Sequence, residues 1–115
     1  MPDSDCLFCR IARGELPSEQ VYADDEILAF RDIQPRAPIH LLVIPRRHFT
    51  SAHDLTDAEG ELVARLFSVM RRLADEAGVR GGYRIVTNVG PDAGQSVAHL
   101  HFHLLAGRQM GWPPG

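Results

Sequence analysis

Apolar and polar positions alternate along several short runs of this chain, and the period changes once. Residues 20–23 (QVYA), 27–31 (ILAFR), 40–44 (HLLVI) and 83–88 (YRIVTN) are rich in branched and aromatic residues and bounded by Asp, Gly and Pro, which predicts strands. Asp24 and Asp25 predict a tight turn between the first two, and Pro45 a stop after the third. A fifth run, residues 99–105 (HLHFHLL), alternates strictly. In a strand it places Leu100, Phe102 and Leu104 on one face and His99, His101 and His103 on the other. Between the third and fourth strands the period becomes helical: Leu62, Leu66, Val69 and Leu73 form one stripe, and Val63, Phe67, Met70, Ala74 and Ala77 a second beside it. Thr56 with Glu59 reads as a capping box, and Gly78 as the helix stop. Residues 7–13 (LFCRIAR) predict a short helix closed by Gly14, with Pro17 preventing its continuation. Five strands with hairpin-like links, one long helix and one short one predict an α+β fold, the long helix packed on a five-stranded antiparallel sheet.

The two apolar stripes are broad for a helix covering one sheet, which points to a second subunit on part of that face. At 115 residues, 44% of them hydrophobic, with no repeat and no Pro/Gly/Ser-rich linker, residues 1–115 read as a single domain. The formal charge of -3 offers no basic footprint for duplex nucleic acid or an anionic membrane, which favours a small ligand or a protein partner. No window approaches the roughly 18 apolar residues of a membrane span, and the opening MPDSDCLFCR carries acids where a leader would carry bases. A cytoplasmic, reduced chain is the expectation.

Three of the six histidines occupy the alternating run. Buried imidazoles need partners and exposed ones gain nothing from alternation, so a row of three is poorly explained as structure alone. Two chemical readings stand: ligation of a metal by an H-x-H pair, or nucleophilic catalysis by one imidazole with its neighbours orienting it and passing protons. The loop VGPDAGQS (89–96) supplies Gly90, Gly94 and Ser96, which suit a phosphate or oxyanion and favour the second reading. Both cysteines lie in one motif, Cys6-Leu7-Phe8-Cys9. Buried thiols, a redox pair and half of a zinc site are its three readings, the last requiring two further ligands of which histidine is the available type.

The run His99-Leu100-His101-Phe102-His103-Leu104-Leu105 fits the signature of the histidine triad (HIT) family. The segments LAFRDIQPRAPIHLLVIPRRH, GYRIVTNVGPDAGQSVAHLHFHLLAGRQMGWPPG and CLFCRIARGELP resemble its Hint branch over nearly the whole chain, the ending GRQMGWPPG most distinctively. The resemblance implies a homodimeric phosphoramidase that binds purine nucleoside monophosphates and cleaves the P–N bond joining them to an amine. His101 would attack phosphorus and form a nucleotidyl-histidine intermediate, His103 would bond a phosphate oxygen, His40 would complete the proton relay, and Ser96 would contact the phosphate near the leaving group. Asp32 would hold the ribose hydroxyls and Asn88 would position phosphate and ribose. Leu7, Phe8, Ile11, Phe30 and Ile33 would wall the base, with Gly94, Gln95 and Val97 completing the nucleotide site. The chemistry would need no metal. Matching positions of bacterial members with the same cysteine pair assign Cys6, Cys9, His48 and His99 to a structural Zn2+. Dimerisation through the long helix and an adjoining strand would extend the sheet to ten strands and bring the segment around Trp112 towards the partner's site. A nucleotide-binding scaffold with vestigial catalysis and a dinucleoside polyphosphate hydrolase are the rival readings. His53 has no assigned role.

Overall fold

The computed structural model describes residues 6–115; the rest of the acidic opening, residues 1–5, lies outside the described residues. Two α-helices and five strands follow in the order α1 (Leu7–Ala12), β1 (Gln20–Ala23), β2 (Ile27–Arg31), β3 (Ile39–Pro45), α2 (Gly60–Glu76), β4 (Tyr83–Val86) and β5 (Phe102–Ala106). All pairings are antiparallel, in the spatial order β1-β2-β3-β5-β4. The expected five-stranded sheet with one main helix is therefore present.

The two-residue period divides the sheet into faces with different duties. Ile27, Ala29, Leu41, Val43, Phe102 and Leu104 pack against Leu66, Val69, Met70 and Leu73 of α2. Leu28, Phe30, Leu42 and Ile44 face the other way, onto Cys6, Phe8, Cys9 and Ile11 around α1. The β1–β2 turn is built as its aspartates suggest. Asp24 Oδ1 accepts from the backbone N–H of Glu26 and Ile27 at 2.7 and 2.8 Å, while its Oδ2 accepts from Tyr22 and Arg65. Those donors hold its carboxyl down at about 2, against the opposing effect of burial.

Element ends depart from the expected ones for identifiable reasons. Pro45 does not stop β3 but ends it from within, paired with Ile27; the β5 ladder has already finished at Val43↔Phe102, so the missing N–H costs no bond there. The Thr56 capping box is present, yet it caps a short 3-10 turn, Asp57–Glu59, that feeds α2. β4 ends at Val86, and the ladder of β5 begins only at Phe102. The preceding segment, with His99 in a bend and His101 just outside the strand, is held by the Leu100 N–H donating to Phe49 O at 2.7 Å and the Thr87 hydroxyl to His101 O at 2.8 Å. On α2 the second stripe divides: Met70 and Ala74 are buried, Val63 is half-buried and Phe67 is 46% exposed, its ring edge-on to Phe102.

At the end of β5, Gly107 has φ +92°, and a Cβ there would lie 2.9 Å from Pro38 Cβ in the loop that carries Asp32 to β3. Gly107→Ala combines a disfavoured backbone with a clash and is expected to cost about 2 kcal/mol. Denaturant titration checks it; an unchanged midpoint would mean the Pro38 loop yields freely.

Candidate functional site

A cleft of ≈ 740 Å³ opens between α1, the β2–β3 loop and the loop preceding β5. It collects His40, His101, His103, Ser96, Asp32, Ile33, Asn88, Gly94, Val97, Leu7, Phe8, Ile11 and Phe30 on one wall system. Gln95 is not among its lining residues. Its side chain braces the loop, accepting from the Gly90 N–H at 2.8 Å and donating to Thr50 O and Val97 O at 2.7 and 2.9 Å. Leu16, Pro17, Arg31, Gln34, Arg36 and Leu42 also line the cleft, and the sequence reading missed them. Leu42 was detectable, because it shares the strand phase of His40. Arg36 carried no local signal. His53 and Trp112 lie outside the cleft, Trp112 84% exposed.

Backbone groups decide which nitrogen of each imidazole carries its proton. His101 Nδ1 lies 2.7 Å from the His99 carbonyl, which only accepts, so Nδ1–H donates and Nε2 keeps a free lone pair. His40 Nδ1 accepts from the Arg36 N–H at 2.9 Å, so His40 Nε2 carries the proton and donates it to His103 Nδ1 at 2.9 Å. His103 is left with Nε2–H as a donor. The two rings meet because His40 is opposite Leu105 and His103 opposite Leu42, which makes them a diagonal pair on one face of β3 and β5. Burial, followed by the His101 and His40 charges, pushes His103 down to about 4, with Asp32 opposing. Burial also lowers His40; Asp32 opposes and the Arg36 guanidinium adds to it. Both are neutral at pH 7.

Behind the cleft, Cys6, Cys9, His48 and His99 bring their Sγ and Nδ1 atoms within 4.8 Å of one another. The His99 Nδ1 is 3.2 Å from Cys6 Sγ, 3.4 Å from Cys9 Sγ and 3.2 Å from His48 Nδ1. His99 Nε2 lies 2.8 Å from the Pro45 carbonyl and must donate, which turns the Nδ1 lone pair towards the sulfurs. Two sulfurs and two imidazole nitrogens fit closed tetrahedral coordination of a metal such as zinc, with the carbonyl as the outer partner that fixes the ring. Asp32, His40 and His103 are also within ligating reach of one another. That group fails the same test, since the Arg36 N–H occupies His40 Nδ1 and leaves the inward nitrogen protonated. Phe8, between the two cysteines, sets its ring edge-on to His101, Phe30 and His99, at centroid distances of 5.1, 5.5 and 6.1 Å.

The family model of the HIT domain matches residues 13–110. A solved HIT family hydrolase from Legionella pneumophila is 51% identical, with 96% of this chain and all of that one covered, and superposes with a TM-score of 0.95. The 14 kDa zinc-binding protein of Zea mays is 44% identical over all of this chain and 91% of its own length. The adenylylsulfatase HINT1 of Arabidopsis thaliana is 44% identical over 98% of this chain and 78% of its own length.

The lowered proton affinity of His103 makes folding stability depend on pH. An unfolded imidazole titrates near ~6.5, so between that value and about 4 the unfolded chain binds the extra proton. Stability is therefore full above the unfolded value and falls as pH drops through the window. His103→Asn is expected to flatten this slope, read as the difference in denaturant midpoint between pH 7 and pH 4.5. An equal slope in both proteins would show that His103 is not the group responsible.

Proposed function

The chain belongs to the HIT domain family, and on that premise we propose that it is a nucleotide hydrolase cleaving the P–N bond of purine nucleoside 5'-phosphoramidates. The observation that carries this reading is the His101 Nδ1–H bond to the His99 carbonyl, which leaves Nε2 as a nucleophile on the cleft wall. In the proposed reaction the Nε2 lone pair forms a bond to the α-phosphorus as the P–N bond breaks. The positive charge that appears on the His101 ring is met at Nδ1–H by the carbonyl dipole. His103 Nε2–H bonds a phosphate oxygen, and His40 acts through His103 by fixing which nitrogen faces the phosphate. Ser96 is exposed at the cleft edge, and its hydroxyl can pass a proton from solvent to the departing amine. Water then attacks phosphorus and loses a proton to solvent, the bond to His101 breaks with its electron pair returning to Nε2, and the monophosphate leaves. The likeness to an adenylylsulfatase supports a second reading with the same nucleophile, since a sulfate leaving group needs no proton.

Asp32 is proposed to accept from the ribose hydroxyls, and the apolar wall of Leu7, Phe8, Ile11, Phe30 and Ile33 to take the purine, with Asn88, Gly94 and Val97 beside the ribose and phosphate. The Cys6, Cys9, His48 and His99 cluster is proposed to hold a structural zinc, a reading supported by the donor set and by the zinc-binding relative. Bound zinc would pin the short helix to the segment that enters β5 and carries the proposed nucleophile. A homodimer is proposed across the outer stripe of α2, where Phe67 is exposed, and the edge of β4, a strand paired on one side only. A cytoplasmic location is proposed, where cysteines stay reduced and able to hold zinc; among the described residues no helix is long and apolar enough to cross a membrane.

His101→Ala is expected to lower kcat/KM for an adenosine phosphoramidate by at least about a thousandfold, followed as monophosphate release. Wild-type protein that binds the nucleotide without turnover would instead identify a nucleotide-binding protein with vestigial catalysis. For the metal, protein purified without chelators is expected to hold one zinc per chain, and Cys6→Ser to hold well under one and to melt lower. Zinc-free wild-type protein of full stability would defeat the assignment.

A further inference from the structure

Two guanidinium side chains belong to residues of the cleft wall, Arg31 and Arg36. Arg31 is spent in an ion pair with Glu19 at 2.6 Å. Arg36 has no carboxylate within ion-pair distance among the described residues, although its backbone is held at both ends. Its N–H donates to His40 Nδ1 at 2.9 Å, and its carbonyl accepts from Arg108 Nε at 2.9 Å. Its backbone is thus anchored against one nitrogen of the His40 ring while His103 bonds the other, and its side chain lines the cleft beside that pair.

We propose that Arg36 recognises an anion on the leaving group, making the preferred substrates of this site nucleotides whose departing part carries a carboxylate, sulfate or phosphate. This inference rests on the nucleotide-hydrolase reading. The α-phosphate is provided for by His101 and His103, while the proposed nucleoside contacts, Asp32 and the apolar wall, offer an uncharged base and ribose nothing that would call for a cation. His40 and His103 are both neutral at pH 7, and Asp32 adds negative charge 3.4 Å from His40. A ligand bearing two anionic groups would therefore enter a cleft whose unneutralised fixed cation is Arg36.

The test compares adenosine phosphoramidates of a neutral amine and of an amino acid, which keeps its carboxylate, in wild type, Arg36→Gln and Arg36→Lys. The expected result is a wild-type preference of about tenfold in kcat/KM for the carboxylate-bearing substrate, abolished in Arg36→Gln and partly kept in Arg36→Lys. A ratio that Arg36→Gln leaves unaltered overturns the proposal. Adenylyl sulfate, run in parallel, tells whether a sulfate serves as well as a carboxylate. If wild type turns over none of these, the hydrolase reading fails on its own, and the affinity ratio of ADP to AMP still decides for Arg36. A preference for ADP that collapses in Arg36→Gln sustains anion recognition beyond the α-phosphate, and an equal ratio in both proteins ends it.

Discussion

One buried imidazole, His99, ties the cleft to the cysteine pair through both ring nitrogens and its carbonyl. Its Nε2–H is spent on the Pro45 carbonyl, its Nδ1 faces both cysteine sulfurs and His48, and its own carbonyl receives the Nδ1–H of His101. The residue is 0% exposed, and each bond lost there would strand a buried polar group at about 1–3 kcal/mol. The ring therefore has a single orientation open to it. The end of β3, the cysteine pair and the proposed nucleophile are positioned relative to one another by that constraint.

The same constraint reaches the cleft through the spacing of the cysteines. α1 spans six residues, too few to persist as an isolated helix, and its N-cap is the Cys6 sulfur accepting from the Cys9 N–H at 3.2 Å. The helix is an accessory of the cluster more than an element in its own right. Phe8 lies between the two sulfurs in sequence, so whatever fixes them also fixes the aromatic edge that touches His101 and Phe30. Packing at the proposed metal-ligating group and packing at the proposed base site are one arrangement.

The sheet and the long helix were legible because binary pattern alone specifies them: ILAF and HLLVI send alternate residues to the two faces, and the stripe of Leu66, Val69 and Leu73 can bury itself only on such a sheet. Strand ends were less legible, since they depend on where a neighbour stops, as at Pro45 and Phe102. Within the cleft, the histidines announced themselves by type and spacing, whereas Gln95 looked like a ligand contact and turned out to brace its loop. Arg36 and the tautomers were invisible for a common reason. They rest on backbone N–H and carbonyl groups, which every residue carries and no side-chain pattern reveals.

Those backbone groups bear on how the proposed displacement would be assisted. With His40 and His103 neutral, a phosphate oxygen would meet oriented N–H dipoles more than imidazolium charge. Dipoles assist a reaction only if they are already aimed at the developing charge, because reorienting them would consume the stabilisation they provide. Aim requires a stiff support. The donors here sit on β3 and β5, adjacent strands inside the five-stranded sheet, whose opposite face is filled by Leu41, Val43, Phe102 and Leu104 against α2. The hydrocarbon face would thus serve the proposed chemistry by holding still the strands on which His40 and His103 stand.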